Sequence, residues 1–188
     1  WTLCGTGSQG GDRKTLDVHM HLMEAFTALY ESTGKDVHRR KLLENIDLLV
    51  NRFIHPLYKT GIPQFYRDWS VAPQIKFDII WGWDRFSEES QKLNATDNTS
   101  YGHNAELAWL MIHALKTLKT DPSGYSELFR IIFDHTSDNG IDYEYGGVYV
   151  EGPHAGGVYD REKEFWQQAE VMIGMLDGVI MFGDEKFW

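Results

Sequence analysis

From Lys14 to Ser32 apolar residues recur at helical spacing, with Leu16, Met20, Met23, Phe26, Leu29 and Tyr30 forming the stripe, and Gly34 follows as a stop. The same periodicity predicts a second helix from Asp36 to Ile54, with Leu42, Leu43, Ile46, Leu49, Val50 and Phe53 inward and His55-Pro56 ending it. These two make a helical hairpin. Between Gly61 and Ser100 the pattern breaks: Pro63, Pro73, Tyr66, Trp69, Trp81, Trp83 and the β-favouring run Ile75–Ile80 predict a long aromatic loop with brief strands. Helical spacing resumes from Gly102 to Leu118 and from Ser123 to His135, interrupted by Asp121-Pro122-Ser123 and closed by Ser137-Asp138-Asn139-Gly140. Residues Tyr143–Tyr159, around Gly146, Gly147, Gly156 and Gly157, read as a small β-hairpin or irregular loop. A fifth helix is expected from Asp160 to Phe182, before Gly183. Successive helical hairpins with long loops between them indicate an all-α, α/α toroid forming one domain over 1–188, in which one set of loops builds a pocket. No residue-level repeat is visible.

Composition narrows the classes of function. Eighteen Lys and Arg against 28 Asp and Glu give a net charge of −10, which argues against phosphate-directed binding to nucleic acid. Hydrophobic residues at 42% and charged residues at 24% suit a globular core. The sequence shows neither a run of ~20 apolar residues nor a basic, then apolar leader, so no membrane span and no secretion are expected. One cysteine, Cys4, supplies neither an intramolecular disulfide nor a thiolate zinc cluster, and the expected compartment is the cytoplasm. The sequons at Asn94 and Asn98 are set aside on that ground. A start at Trp1 and an end at Trp188, just after an apolar amphipathic run, suggest part of a longer protein.

Three clusters carry candidate chemistry. In Asp17-Val18-His19-Met20-His21-Leu22-Met23-Glu24, the residues Asp17, His21 and Glu24 share a helical face while His19 points elsewhere. This is open to reading as a core histidine beside a surface ion pair, or as a site; the His-x-His spacing on a helix does not bring both rings to one metal ion. In Tyr101-Gly102-His103-Asn104-Ala105-Glu106, His103 and Glu106 lie at i, i+3 at the start of a helix that continues to Trp109, so the carboxylate could orient the imidazole as a general base. The helix N-terminus favours the neutral ring. In Lys163-Glu164-Phe165-Trp166-Gln167-Gln168-Ala169-Glu170, Trp166 and Glu170 lie at i, i+4, a ring beside a carboxylate as in sugar sites, and equally a helix core pattern. Paired carboxylates for a glycoside hydrolase are available in Asp78, Asp84, Glu106 and Glu170, but no spacing singles out an acid and nucleophile.

Taken in order, the three motifs resemble the N-acylglucosamine 2-epimerase superfamily, and within it most closely the cellobiose 2-epimerase branch. That branch carries Asn-x-His-x-His-x-x-Glu-Ala, Tyr-Gly-His-Asp-x-Glu-x-x-Trp and Lys-x-Trp-Trp-x-Gln-Ala-Glu, matched here by Asp17 to Ala25, Tyr101 to Trp109 and Lys163 to Glu170. The resemblance implies an (α/α)6 barrel of which this chain covers roughly half. It also implies sugar epimerisation at C2, or aldose–ketose isomerisation as in mannose-type sister enzymes, by ring opening and proton transfer through a cis-enediolate. It makes His21 a candidate for ring opening and proton relay, His103 the acid/base at C2 and Glu106 its orienting partner, with Asp17, Trp109, Trp166 and Glu170 lining the sugar. No cofactor and no metal are implied, and the partner is a small mono- or disaccharide, with homo-oligomerisation open.

Asp17 replaces the family's Asn and sets a negative charge near the developing enediolate. Phe165 replaces the first Trp of the third motif. The family's Arg and second catalytic His fall outside the chain, so the segment alone is expected to be poorly soluble and nearly inactive. A sugar-binding domain without turnover is the non-enzymatic alternative.

Overall fold

The structure, a computed structural model, describes residues 13–73 and 96–188. Cys4, the Ile75–Ile80 run, Asp78, Trp81, Trp83, Asp84 and the Asn94 sequon lie outside these residues. Strand β1 (Arg13–Thr15) leads into helix α1 (Leu16–Thr33), then α2 (Asp36–Leu48), strands β2 (Gln64–Tyr66) and β3 (Thr99–Ser100), α3 (Tyr101–Thr117), α4 (Ser126–His135), β4 (Glu151–Gly152) and α5 (Phe165–Phe182). Helices α1, α3 and α5 pack side by side as one layer, with α2 against α1 and α4 against α3 and α5 as a second. This is the two-layered plan of an α/α barrel.

Local chemistry sets the helix ends. Thr15 Oγ1 caps α1 by accepting from Val18 N–H, and Ser100 Oγ caps α3 by accepting from His103 N–H. Gly34 and Gly183 close α1 and α5 in the left-handed region, at φ 61° and 64°, where a β-carbon is disfavoured. Met20 and Met23 of α1 meet Leu42, Ile46, Leu49 and Phe53 in one continuous core that extends to Leu107, Met111 and Ile112 of α3 and Phe129, Ile132 and Phe133 of α4. Each such side chain contributes on the order of 2 kcal/mol by leaving water. Helix α3 is enclosed on most sides, which is why its sequence from Ala105 to Leu115 is nearly all apolar rather than striped.

Both outer helices end alike. The last turn of α2 widens into a π-helical turn at Leu49–Phe53, and that of α4 at Thr136–Gly140. Ile54 and Ile141 then turn extended (φ/ψ −89°/126° and −89°/130°) and bridge antiparallel to Gly61 and Val148, seven residues on in each case. Phe53 O accepts from Ile62 N–H at 2.7 Å, as Gly140 O does from Tyr149 N–H at 2.8 Å. Inside each turn one side chain caps two amides: His55 Nδ1 accepts from Leu57 and Tyr58, and Asp142 Oδ1 from Glu144 and Tyr145. A structural repeat is therefore present although none is readable in the residues.

Of the two forms expected for the glycine-rich segment, the irregular loop is the one found: it holds local antiparallel bridges, and its strand β4 pairs with β3, with Thr99 opposite Gly152 and Ser100 opposite Glu151. One expectation needs correction. Helix α5 begins at Phe165 instead of Asp160, because Asp160 bridges to Glu151 and Glu162 O accepts from Val150 N–H, which keeps 160–164 extended. The Asn98 sequon is buried, with the side-chain amide donating to Glu151 Oε2 at 2.9 Å.

Among the described residues no helix is long and apolar enough to cross a membrane. Helix α5 nevertheless leaves Met172, Ile173, Leu176 and Ile180 open, Met172 at 71% and Ile180 at 68% exposure. Apolar area of this kind drives association. Residues 1–188 produced alone are expected to self-associate through this face; sedimentation across a concentration series checks it, and a strictly monomeric, freely soluble chain would contradict it.

Candidate active site

Helices α1, α3 and α5 bring their N-terminal turns together, and each contributes one of the three sequence motifs. Asp17 and His21 project from successive turns of α1; His103 and Glu106 come from the first turns of α3, and Trp166 and Glu170 from α5. Asp17 Oδ1 stands 3.3 Å from His21 Nε2 and 3.8 Å from His103 Nε2. His21 donates from Nδ1 to Glu24 Oε2 at 3.1 Å, and its Nε2 is also 3.8 Å from Glu106 Oε1. The Trp166 ring leans on His103, centroids 4.8 Å apart and planes inclined by 43°.

His19 turns away, as its spacing requires. It donates from Nδ1 to Thr15 O at 2.7 Å and packs its ring 4.6 Å from that of Phe53, so it belongs to the α1–α2 seam. The partner expected for His103 is a correction. Although Glu106 shares its helical face, the negative charge felt by His103 comes from Asp17 and Glu164, and the Glu106 carboxylate faces His21 across the α1–α3 seam. Sequence spacing fixes a face, but the neighbouring helix decides which partner meets it. Trp166 and Glu170 also part company: Trp166 Nε1 donates to Glu164 Oε2 at 2.6 Å, and Glu170 Oε2 accepts from Trp109 Nε1 at 2.7 Å, tying α5 to α3. Phe165 is 88% exposed and takes no part in the core.

The environments drive these groups apart. Burial disfavours the cationic ring of His103 most, and the nearby His21 adds to this; Asp17 and Glu164 offset only part, so the pKa of His103 is lowered and the neutral base is favoured. Burial acts against the charge on His21 too, but the Glu24 hydrogen bond and the charges of Glu106 and Asp17 outweigh it, and its pKa is raised. Glu106 is pushed up to about 7, chiefly by burial and then by Glu170, with His21 working the other way. A base, an acid and a carboxyl group titrating near neutrality thus occupy one cleft, the arrangement that proton-transfer chemistry demands.

Two supporting residues escaped the sequence reading. Glu164, which falls inside a helix expected from Asp160, is the N-terminal boundary of α5 and accepts from Trp166, and from Gln167 Nε2 at 3.3 Å. Buried Gln167 accepts from Gly102 N–H at 3.0 Å and locks the start of α3 onto α5. Both lie inside the third motif, so recognising the extended 160–164 segment would have revealed them. Among the described residues no three His, Cys, Asp or Glu side chains are placed to hold a metal ion.

The sequence pattern of N-acylglucosamine 2-epimerase (GlcNAc 2-epimerase) matches residues 9–188. The chain belongs to this family. Two curated relatives, the cellobiose 2-epimerases of Bacteroides fragilis and Ruminococcus albus, are each 25% identical over 176 residues, spanning 92% and 93% of this chain but 38% of their own length. The chain thus covers about two fifths of these relatives. Among solved structures, cellobiose 2-epimerase from Bacillus thermoamylovorans B4167 superposes with a TM-score of 0.73 at 22% identity, over 99% of this chain and 41% of that one. A D-mannose isomerase gives 0.72 at 18% identity, over 98% and 44%. The fold of this N-acylglucosamine 2-epimerase family member is therefore part of an (α/α)6 barrel.

Proposed function

We propose that the protein carrying this chain interconverts sugars at C2, as an epimerase acting on a mono- or disaccharide of the cellobiose type. The observation that carries the reading is the pair of histidines of opposite bias, the pKa of His103 lowered and that of His21 raised, facing one cleft beside Trp166 and Glu106. His103 Nε2 takes the C2 proton of the open-chain aldose; the C–H electrons form the C1=C2 bond of an enediolate, and the carbonyl oxygen takes the negative charge. A proton delivered to the opposite face of C2 by a second acid, the role the family resemblance gives to a histidine outside this chain, yields the epimer, and His103 then releases its proton to solvent. His21 and Glu106 stand 3.8 Å apart, with Glu106 pushed up to about 7, which suits opening of the hemiacetal, where the O1 proton leaves and the ring oxygen gains one. Trp166 offers its face to the sugar, while Trp109, bonded to Glu170, braces the wall.

Return of the proton to C1 instead gives the ketose, and the likeness to a D-mannose isomerase supports that as the second reading. A cytoplasmic setting is proposed on the single cysteine. The test is proton NMR of cellobiose, mannose and N-acetylglucosamine in D2O with the complete protein. Deuterium at C2 with an epimer accumulating is expected; a ketose selects the second reading, cleavage to smaller sugars indicates hydrolysis, and binding with no exchange indicates a non-catalytic domain.

A further inference from the structure

One oxygen atom, Asp17 Oδ1, lies within reach of both imidazoles, 3.3 Å from His21 Nε2 and 3.8 Å from His103 Nε2. Two rings turned to the same carboxylate oxygen would repel once both carried a proton, which is the state reached when His103 takes a proton while His21 keeps its own. We propose that Asp17 is a positioning residue that couples the two histidines, its Oδ1 serving as shared counter-anion for His21 and for the imidazolium that forms on His103. The proposal deepens the proton-transfer reading of the cleft and rests on it.

Other charges face these rings from each packed element. Helix α1 supplies Glu24, α3 supplies Glu106 and the start of α5 supplies Glu164, while Glu170 in the second turn of α5 acts on Glu106. Glu24 and Glu106 act on His21, and Glu164 on His103, so each serves one ring, whereas Asp17 pairs with both. Its side chain is 51% exposed, and it sits in the first turn of α1, where a carboxylate is favoured by the helix dipole. An amide at this position keeps the shape and loses the charge. The cost expected of the carboxylate, repulsion of an enediolate, is then offset by a second cation in the same cleft.

Asp17→Asn in the complete protein, labelled with carbon-13 histidine, tests this. A nearby anion favours the protonated imidazole, so its removal moves the titration midpoints of both His21 and His103 to lower pH, with resonances assigned from His21→Asn and His103→Asn. The pH profile of C2–H exchange follows: the acid limb, set by deprotonation of His103, and the alkaline limb, set by loss of the His21 proton, both shift down. Above the wild-type optimum the rate falls roughly tenfold. Asp17→Glu, which restores a charge, moves both midpoints back up, and Asp17→Ala reproduces Asp17→Asn should the amide disturb the helix start. Midpoints unchanged in both neutral variants, or movement of one ring alone, overturn the coupling. If the wild-type protein exchanges no sugar proton, the epimerase reading falls, and the histidine midpoints still decide the role of Asp17.

Discussion

His103→Ala in the complete protein is expected to lower C2–H exchange by roughly 10²- to 10⁴-fold, the contribution ordinarily made by a positioned general base. Several features converge on this residue. Its backbone N–H is committed to the Ser100 cap, which fixes the start of α3, while the imidazole is left to the cleft, 23% exposed and resting on Trp166. Burial keeps the ring neutral, so it is ready to accept a proton at physiological pH. Because the cap uses main chain and the Ser100 hydroxyl, removal of the ring leaves the helix start intact. The melting temperature is expected to stay close to wild type while turnover collapses. Exchange within a few-fold of wild type would remove His103 from the chemistry, and a large loss of stability would make it structural.

The second large effect concerns stability. Gly152→Ala is expected to destabilise the fold by about 3 kcal/mol, because its new methyl group would coincide with the carbonyl oxygen of Gly157 and crowd the Tyr101 hydroxyl that donates to it. A flexible side chain could swing aside, but the obstacle here is backbone. That backbone is held in turn: Gly157 N–H donates to Asn139 Oδ1 at 3.0 Å, and Tyr159 N–H to Glu151 O at 2.9 Å. Tyr101 is wholly buried, stacks on His135 and opens the helix that carries His103, so the strain reaches the cleft as well. Urea unfolding of the two proteins measures the loss, and an unchanged midpoint would mean that the 151–160 loop is not packed as described.

Periodicity and stop signals made much of this legible. The stripe of Leu16, Met20 and Met23 and the glycines at 34 and 183 are local facts, and the helices follow them closely. The face shared by Asp17, His21 and Glu24 was equally local. What failed was non-local. Asp160-Arg161-Glu162-Lys163-Glu164 has good helix formers, yet strand-like bonds to Val150 and Glu151 hold it extended. Glu106 was assigned to the histidine three positions away on its own helix, whereas burial against α1 turned it to His21. Strand β4 found its partner some fifty residues earlier in the chain, a pairing that turn chemistry cannot foretell.

The matched exits of α2 and α4 bear on how such a protein diversifies. Each exit is closed by main-chain bonds and by one side chain able to accept from two amides, a task that His55 and Asp142 perform equally well. Few residues are thereby constrained, so the frame survives extensive drift. Beyond the closing bridge, the chain runs a long course before α3 in one case and a short one before α5 in the other, without altering the helix ends. Segments in these two places can be lengthened, trimmed or grafted from a cousin while the barrel wall stays put. Under the proposed function, exchange of these loops on a fixed scaffold is the route by which a new sugar preference would arise.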